Sequence, residues 1–263
     1  MTMWEDFEIN CTRYLNEHFG QYAKFTHLGV SNSTVADIKV EVKNNKVFYI
    51  EAKHSPAQCG QFVLLPNIQQ MKFDYSKLNI VPLNESSIKI IDHMNENFEK
   101  YKEAGTSGED IDFPNCSEVF SKWIVNYYKS KNVKFFITNN YTIFPIEQFS
   151  DYFVVKAKYR VKRSGSSSVG NSKTERVKEF ITKNFLTKEV SIKDDKVFVV
   201  SEKELHNSRF VMPGNEYMFS KRGNVYEIRK LSNTFNANVI FSIYLKPNKQ
   251  GVSADNFIFI LLN

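Results

Sequence analysis

The chain has 263 residues, room for two domains or one large domain with a sizeable core, and its 42% hydrophobic and 24% charged residues are typical of a folded globular protein. The formal net charge of +6 permits a polyanionic partner but does not require one. Three scattered cysteines, Cys11, Cys59 and Cys116, argue against a disulfide framework or a zinc site and indicate a reducing compartment. The acidic N-terminus is unlike a signal peptide and no apolar run is long enough to span a membrane, so we expect a cytoplasmic protein.

Residues 3–19 are predicted to form an amphipathic helix, because apolar side chains recur along one face at helical spacing. Glu8 lies near that face, and it is either a solvated acid or a group that points into a site. Residues 22–29 are predicted to form the first strand.

The stretch 35–53 is predicted to be a β-hairpin, because two alternating strand patterns flank the turn signal Asn44-Asn45. The even-numbered residues of both strands are apolar, and a slip of one residue would turn every side chain to the other face. We therefore expect even positions to pair with even positions, with Lys43 opposite Val47 across a three-residue loop.

This register places Asp37, Glu51 and Lys53 on one face at one edge of the sheet, whereas a tight two-residue turn would separate the two acids. Two carboxylates and the Ala52 carbonyl are oxygen ligands of the kind that Mg²⁺ prefers. A metal held there would polarise a phosphate and lower the pKa of a bound water, and Lys53 would orient that water or offset charge on the phosphoryl oxygens. The cluster predicts phosphodiester hydrolysis, although an acid followed by Glu-x-Lys also occurs by chance in charged sequences.

The segment after Lys53 begins with Pro56, which is typical of the first position of a helix. A helix leaving this edge would direct its first turn at a substrate phosphate. Gln58 and Gln61 would lie one turn apart on it, and we take Gln61 as a candidate catalytic residue that positions water, although surface glutamines are usually only solvated. His54 has no second His or Cys at zinc-ligand spacing.

In the rest of the chain, segments with the apolar spacing of a helix alternate with segments that have the apolar alternation of a strand. Helices are predicted over 86–103, 117–130, 146–152 and 174–185, and strands over 133–138, 141–145, 153–160, 188–193, 196–200, 225–231, 236–245 and 256–262. Residues 104–115 are predicted to be a loop. This order predicts a mixed α/β (α+β) fold with a catalytic part over 1–152 and a β-rich part over 153–263, in which 187–229 could form an extra β subdomain.

Residues 159–173 form the most basic and flexible stretch, rich in Arg, Lys, Ser and Gly. Arg and Lys bind guanine edges, and Ser and Asn contact bases or phosphates, but Gly and Ser also favour a flexible interdomain linker. A second polar run over 230–238 contains asparagines, which contact adenine or simply make turns. The candidate DNA-binding residues are Arg160, Lys162, Arg163, Ser164, Ser166, Asn171, Lys173, Asn233 and Asn236.

The pattern formed by Asp37, Glu51 and Lys53 resembles the PD-(D/E)xK nuclease superfamily, with Ala36 in place of the usual proline. Several blocks in chain order resemble a narrower family, the monomeric type II restriction endonucleases of the HhaI type. These blocks are 49–53, 58–64, 72–76, 127–131, 133–138, 164–166, 171–173 and 231–243. Residues 174–224 match least.

The resemblance implies a restriction-endonuclease-like core with a β-rich DNA-recognition region, and a bacterial cytoplasmic enzyme. It implies double-stranded DNA as substrate, Mg²⁺ as cofactor, the palindrome GCGC as target, and a monomer that cuts the two strands in turn. Asp37, Glu51 and Lys53 take the catalytic positions, Asp37, Glu51 and Ala52 the metal-binding ones, and Glu8 the position of a first-helix glutamate that reaches the metal site. A matching DNA methyltransferase is the expected companion.

The expected reaction is in-line attack of water on the phosphodiester, leaving 3′-hydroxyl and 5′-phosphate ends. Two alternatives stay open at this point. A structure-selective nuclease of the resolvase or repair type would cut branched DNA regardless of sequence. A non-catalytic DNA-binding protein that retains the nuclease fold would bind DNA with strong salt dependence but never cut it.

Overall fold

The computed structural model describes residues 3–29, 35–42 and 46–262. Its helices are α1 (Met3–Phe19), α2 (Glu85–Glu96), α3 (Phe98–Lys102), α4 (Cys116–Ser130), α5 (Phe149–Tyr152), α6 (Thr174–Asn184) and α7 (Ala254–Leu262). Its strands are β1 (Ala23–His27), β2 (Ile38–Val42), β3 (Val47–Ala52), β4 (Ala57–Asn67), β5 (Lys72–Tyr75), β6 (Glu109–Ile111), β7 (Val133–Thr138), β8 (Thr142–Pro145), β9 (Phe153–Arg163), β10 (Ser166–Ser167), β11 (Glu189–Lys193), β12 (Lys196–Val200), β13 (Arg209–Met212), β14 (Asn215–Arg222), β15 (Val225–Leu231) and β16 (Phe235–Leu245). No helix in these described ranges is both long and apolar enough to cross a bilayer.

The chain divides into two compact units. Unit 1 comprises Met1–Arg160 and Ala237–Asn263, and unit 2 comprises Val161–Asn236. The predicted boundary after residue 152 therefore differs from the structural one, because 153–160 and 237–263 belong to unit 1. The catalytic and DNA-binding roles assigned to the two parts stay predictions.

The first sheet of unit 1 has the strand order β1-β2-β3-β7-β8, in which only the neighbours β3 and β7 are parallel. Burial alternates along β2, so one face of this sheet is apolar. Helices α1 and α7 contribute to the core on that face. This core includes Cys11, Leu15, Phe19, Ile38, Val40, Ile50, Phe135, Phe257 and Leu261.

The pairing of β2 with β3 confirms the predicted even register. Ile38 lies opposite Ile50, and Val40 lies opposite Phe48. The predicted partner of Val47 was wrong, because Val47 pairs with Glu41 rather than with Lys43. The turn residues 43–45 lie outside the described residues. The apolar pattern thus predicted which face is buried, while the exact pairing partners were not predictable from it.

The second sheet of unit 1 has the order β5-β4-β16-β9-β6. Helix α4 packs its buried Trp123 against this sheet, with ring centroids 5.4 Å from Phe62 on β4 and 4.7 Å from Phe241 on β16. Strand β4 therefore has helix α4 on its buried side, next to the end of the first sheet.

Two predicted elements were wrong. Residues 57–62 form the start of strand β4 rather than a helix, and 256–262 lie in helix α7 rather than in a strand. The short β6 interrupts the predicted loop 104–115. Strands β5, β10, β13 and β14 were not predicted, whereas the other predicted helices and strands are present within a few residues of their expected bounds, with 86–103 divided into α2 and α3. The mixed α/β class with several sheets is confirmed.

Unit 2 has a sheet of its own, with the order β11-β12-β15-β14-β13 and with β10 paired to β15. Helix α6 buries Val177 and Ile181 in the same core as Val197, Phe219 and Ile228. This unit contains most of the polar stretch 159–173, so that stretch enters a folded unit and is not a free linker.

Candidate active site

The side chains of Asp37, Glu51 and Lys53 meet at one edge of the first sheet. The Lys53 ammonium lies 2.5 Å from Glu51 Oε1 and 3.2 Å from Asp37 Oδ2, and 3.3 Å from the Ala52 carbonyl oxygen. The Ala52 N–H donates to Asp37 Oδ2 at 3.0 Å. The structure thus brings together the residues predicted from the hairpin, while their catalytic and metal-binding roles stay predictions.

Hydrogen bonds to strand β7 fix the chain at this edge. The Lys53 N–H donates to the Ile137 carbonyl at 2.9 Å, and the Thr138 hydroxyl donates to the Lys53 carbonyl at 2.6 Å. Directly beyond, the Asn139 amide exchanges two hydrogen bonds with the backbone of Ser55, at 2.7 and 3.0 Å. The backbone N–H and the backbone carbonyl of Lys53 are therefore both hydrogen-bonded, which limits where its ammonium can reach.

Burial and neighbouring charges shift the pKa values of Glu51 and Lys53. Burial raises the pKa of Glu51 to about 7, and the negative charge of Asp37 adds to this, against the opposing effects of Lys53 and of a hydrogen bond from Tyr128. Burial alone would lower the pKa of Lys53, but Glu51 and Asp37 outweigh it and hold that pKa well above its ordinary value. Lys53 is therefore a permanent cation here, and Glu51 titrates near neutrality.

Glu8 on helix α1 is only 6% exposed and lies in the same cleft, so it is not a solvated acid. Its Oε2 lies 3.0 Å from His27 Nε2. Burial and the charge of Asp37 raise the pKa of Glu8, while His27 and Lys53 oppose that shift. Gly29 stands beside this pair, and a Cβ on it would lie 2.2 Å from Glu8 Oε2.

A cleft of about 450 Å³ opens at these groups. Its lining includes Glu8, Asp37, Glu51, Lys53, Gln58, Gln61, Tyr127, Tyr128 and Lys131. Gln58 and Gln61 are both exposed and hydrogen-bond each other at 3.2 Å. They share a face because the pairing of β4 with β16 shifts between these two positions, at a bulge. Gln61 thus lies at the cleft as expected, although a strand and not a helix presents it.

The buried Tyr128 lies behind Glu51, and its role was not predicted from the sequence. Its hydroxyl hydrogen-bonds Glu51, and it accepts a weak hydrogen bond from the buried thiol of Cys59 at 3.8 Å. Burial raises the pKa of the Cys59 thiol to about 12, so this thiol stays protonated. His27, Gly29 and Lys131 were missed as well. The available signal was the block 127–131, which stands among the family-like segments without an assigned role.

Comparison with known proteins decides the family. No protein-family model and no curated protein matches the chain. A solved structure of HhaI endonuclease in complex with DNA matches 99% of this chain and 99% of its own, with a TM-score of 0.77 and 38% sequence identity. The chain belongs to the HhaI-type restriction endonucleases. The resemblance inferred from the sequence blocks is thereby confirmed.

Within this HhaI-type chain, Arg163, Ser164 and Asn236 come together in unit 2. The Ser164 hydroxyl donates to Asn236 Oδ1 at 3.1 Å and accepts from Thr234 Oγ1 at 2.9 Å. The Arg163 guanidinium forms an ion pair with Glu216 and lies 5.3 Å from the centroid of the Phe235 ring. The two polar runs predicted to bind DNA are therefore neighbours at this point.

The other candidate DNA-binding residues of this HhaI-type chain are spread more widely. Arg160 ends the part of β9 in unit 1, and Lys162 and Asn233 are exposed in unit 2. The Ser166 carbonyl accepts a hydrogen bond of 2.9 Å from the guanidinium of Arg229. The 3-10 turn Asn171–Lys173 precedes α6, and it contains the last two candidates, Asn171 and Lys173.

Proposed function

We propose that the protein is a type II restriction endonuclease that hydrolyses phosphodiester bonds in double-stranded DNA. The observation that carries this proposal is the contact of one ammonium, that of Lys53, with the carboxylates of both Asp37 and Glu51 at a sheet edge. HhaI endonuclease, which is 38% identical over 99% of this chain, has been solved in complex with DNA. We expect 3′-hydroxyl and 5′-phosphate ends as the products.

We infer Mg²⁺ as the cofactor. The carboxylates of Asp37 and Glu51 and the Ala52 carbonyl are an all-oxygen donor set, which suits a hard cation. Over 3–29, 35–42 and 46–262, no three His, Cys, Asp or Glu side chains are grouped to hold a metal, so backbone and water oxygens would complete the coordination. Burial and the charge of Asp37 raise the pKa of Glu51 by disfavouring its ionised form. A bound cation would stabilise that ionised form, so the raised pKa supports this fit.

The chain's own residues have distinct tasks in this proposal. When bound, the cation supplies Lewis-acid activation of the phosphate and of water. The Lys53 ammonium stabilises negative charge that develops on the phosphoryl oxygens. The Ala52 N–H orients Asp37 through its hydrogen bond of 3.0 Å. Glu8 and Gln61, on the walls of the cleft, orient the attacking water.

Charge distribution supports DNA binding by unit 2. Residues 161–236 contain 15 Lys and Arg against 9 Asp and Glu, whereas the rest of the chain contains 20 of each class. Contacts of basic side chains with phosphates supply DNA affinity that is independent of base sequence. We propose that unit 2 contacts DNA, with Arg163, Ser164 and Asn236 at that surface.

The target GCGC is proposed from the family alone. Arginine is suited to the two guanines of each strand, because its fork matches O6 and N7 of guanine in the major groove. We also propose a monomer that cuts the two strands in turn, and a companion methyltransferase that protects the same palindrome.

Plasmid digestion with the purified protein tests this function. With Mg²⁺ we expect discrete fragments whose ends all lie within GCGC, preceded by a nicked intermediate, and with EDTA we expect no cutting. Lys53→Met should lower kcat by about 100-fold or more, because charge on the phosphate is no longer stabilised. The matched control is Lys39→Met, since that ammonium pairs with Glu41 at 2.8 Å instead, and it should cut like the wild type.

Other outcomes would count against specific parts of the proposal. Fragment ends at another sequence would keep the restriction activity and refute GCGC. Cutting of branched DNA regardless of sequence would indicate a structure-selective nuclease. DNA binding without any cutting would indicate a non-catalytic binding protein. Normal cutting by Lys53→Met would place the active site elsewhere.

A further inference from the structure

The lining of the cleft includes a cation that the proposed chemistry does not use. Helix α4 ends at Ser130, and Lys131 follows as its C-terminal capping residue. Lys131 lines the same cleft as Asp37, Glu51 and Lys53. The cleft therefore has a second ammonium that is separate from the one paired with the two acids.

Aromatic rings define the position of Lys131. Its ammonium lies 4.3 Å from the centroid of the Tyr127 ring and 5.9 Å from that of Tyr128. Tyr127 in turn stacks on the buried Trp123, with centroids 5.2 Å apart and an interplanar angle of 12°. A cation over a ring of fixed orientation loses less conformational freedom when it binds a ligand than a lysine free in solvent does.

The other charges of the cleft show what such a cation would bind. Glu8, Asp37 and Glu51 are acidic, and Lys53 is paired with two of them. A DNA strand that enters this cleft brings one negative charge per nucleotide towards those carboxylates. A second positive group in the cleft would hold a phosphate of that strand and offset its repulsion by the carboxylates.

We propose that Lys131, supported by the Tyr127 ring, binds a backbone phosphate that neighbours the scissile one. This inference rests on the proposed nuclease function and adds a binding subsite to the same cleft. Lys131 acts on binding, since the proposed chemistry assigns the charge on the scissile phosphate to Lys53. It is equally engaged in the ground state and in the transition state, so its loss raises KM and leaves kcat unchanged.

The test is Mg²⁺-dependent cleavage of a short duplex containing GCGC, measured over a series of salt concentrations. For Lys131→Met, kcat/KM should fall about tenfold at 0.1 M salt, and the slope of its logarithm against log salt should become shallower by about 0.9, which is the value for one lost phosphate contact. Lys131→Arg keeps the charge and should keep the wild-type slope. Tyr127→Phe keeps the ring and should match the wild type, whereas Tyr127→Leu should show part of the Lys131→Met loss.

Lys129→Met is the matched control. Lys129 lies two residues before Lys131, in the last turn of α4, and its ammonium pairs with Glu147 at 2.9 Å. Lys129→Met removes the same charge from the chain as Lys131→Met does. An equal effect of the two substitutions would overturn the subsite, because the loss would then depend only on the net charge of the chain. An unchanged salt slope for Lys131→Met, or a loss in kcat at unchanged KM, would overturn it as well. If the wild type does not cut the duplex at all, the proposed function fails instead, so the two failures are distinguishable.

Discussion

At the scale of single residues, Gly29 leaves the space that the pair of Glu8 and His27 occupies. A Cβ at this position would lie 2.2 Å from Glu8 Oε2 and 2.3 Å from His27 Nε2. Neither atom can stay in place, so the glutamate could no longer line the cleft in its present position. Glycine is required at this position because Glu8, a candidate catalytic residue, needs the space that a side chain would fill.

We predict that Gly29→Ala lowers kcat by displacing Glu8 and lowers the free energy of unfolding by only about 1 kcal/mol, the low end for overpacking, because the crowded atoms are the ends of two side chains that can move. Urea unfolding and cleavage kinetics measure the two effects. Gly105→Ala is the control, because no atom lies within 4 Å of a Cβ added there. If kcat of Gly29→Ala equals that of Gly105→Ala, Gly29 has no special role beside Glu8.

The pKa of Glu51 couples the site to the stability of the metal-free protein. In the folded state it lies at about 7, against an ordinary value of 4.5. A carboxyl with a raised folded pKa contributes stability that is fully present below about pH 4.5 and is lost as the pH rises through about 7. The loss reaches roughly 3 kcal/mol, because each unit of pKa shift corresponds to about 1.4 kcal/mol.

We therefore predict that Glu51→Gln gains stability relative to the wild type as the pH rises from about 5 to about 7.5 in EDTA. Urea unfolding at both values measures the difference between the two proteins. Glu41→Gln serves as the control of opposite sign, since the Lys39 hydrogen bond lowers the pKa of the half-buried Glu41. A difference between Glu51→Gln and the wild type that does not change with pH would contradict the prediction.

At the scale of elements, Gly60 produces the bulge that turns Gln58 and Gln61 to the same side of β4. Its φ of +90° is a conformation that side-chain-bearing residues rarely adopt, and a Cβ would lie 2.9 Å from Trp123 Cζ3. Trp123 is 1% exposed and cannot easily move away. The same residue thus permits the bulge and the packing of α4 on the strand.

We predict that Gly60→Ala destabilises the protein by about 1–3 kcal/mol more than Gly214→Ala does, because of contact with the indole ring. Gly214 has a similar φ of +83°, but nothing lies within 4 Å of a Cβ added there, so it isolates the backbone cost. Urea unfolding of both variants is the measurement. Equal losses of stability in the two variants would show that the Trp123 ring can move aside without lowering the free energy of unfolding.

The two wrong elements show what local patterns could not predict. In β4 the bulge spaces the buried Cys59 and Phe62 three residues apart, and this spacing imitates a helical period after a proline. In α7 the apolar run favours a strand, yet Phe257 and Leu261, one helical turn apart, complete the core of the first sheet. Ser253 caps this helix by accepting the Asn256 N–H at 3.2 Å. Tertiary packing decided both elements.

The candidate site likewise has one part that local sequence patterns could predict and another part that they could not. Asp37, Glu51 and Lys53 were predictable because one hairpin positions all three, and the apolar pattern of that hairpin determines its register. Tyr128 and Lys131 come from the end of α4, which follows in the sequence after three further strands of unit 1 and two helices. Their place beside the hairpin depends on contacts that no local pattern contains.

At the scale of the whole molecule, the boundaries of unit 2 were unpredictable for a comparable reason. Strand β16 follows unit 2 in the sequence but pairs with β4, from the first quarter of the chain, with Ile243 opposite Ala57. This long-range pairing, together with the packing of α7 on the first sheet, returns 237–263 to unit 1. From the sequence, the β-rich second half looks like one continuous region.

The uneven charge of the two units bears on how fast the protein meets its substrate. All of the formal net charge of +6 belongs to residues 161–236, and the rest of the chain is formally neutral. A polyanion attracts such a molecule by one part of its surface, which raises the rate of diffusional encounter at low ionic strength and allows sliding along the duplex. In the proposed enzyme, the search for a site is therefore driven by a region of the chain separate from the one that holds the acidic cluster.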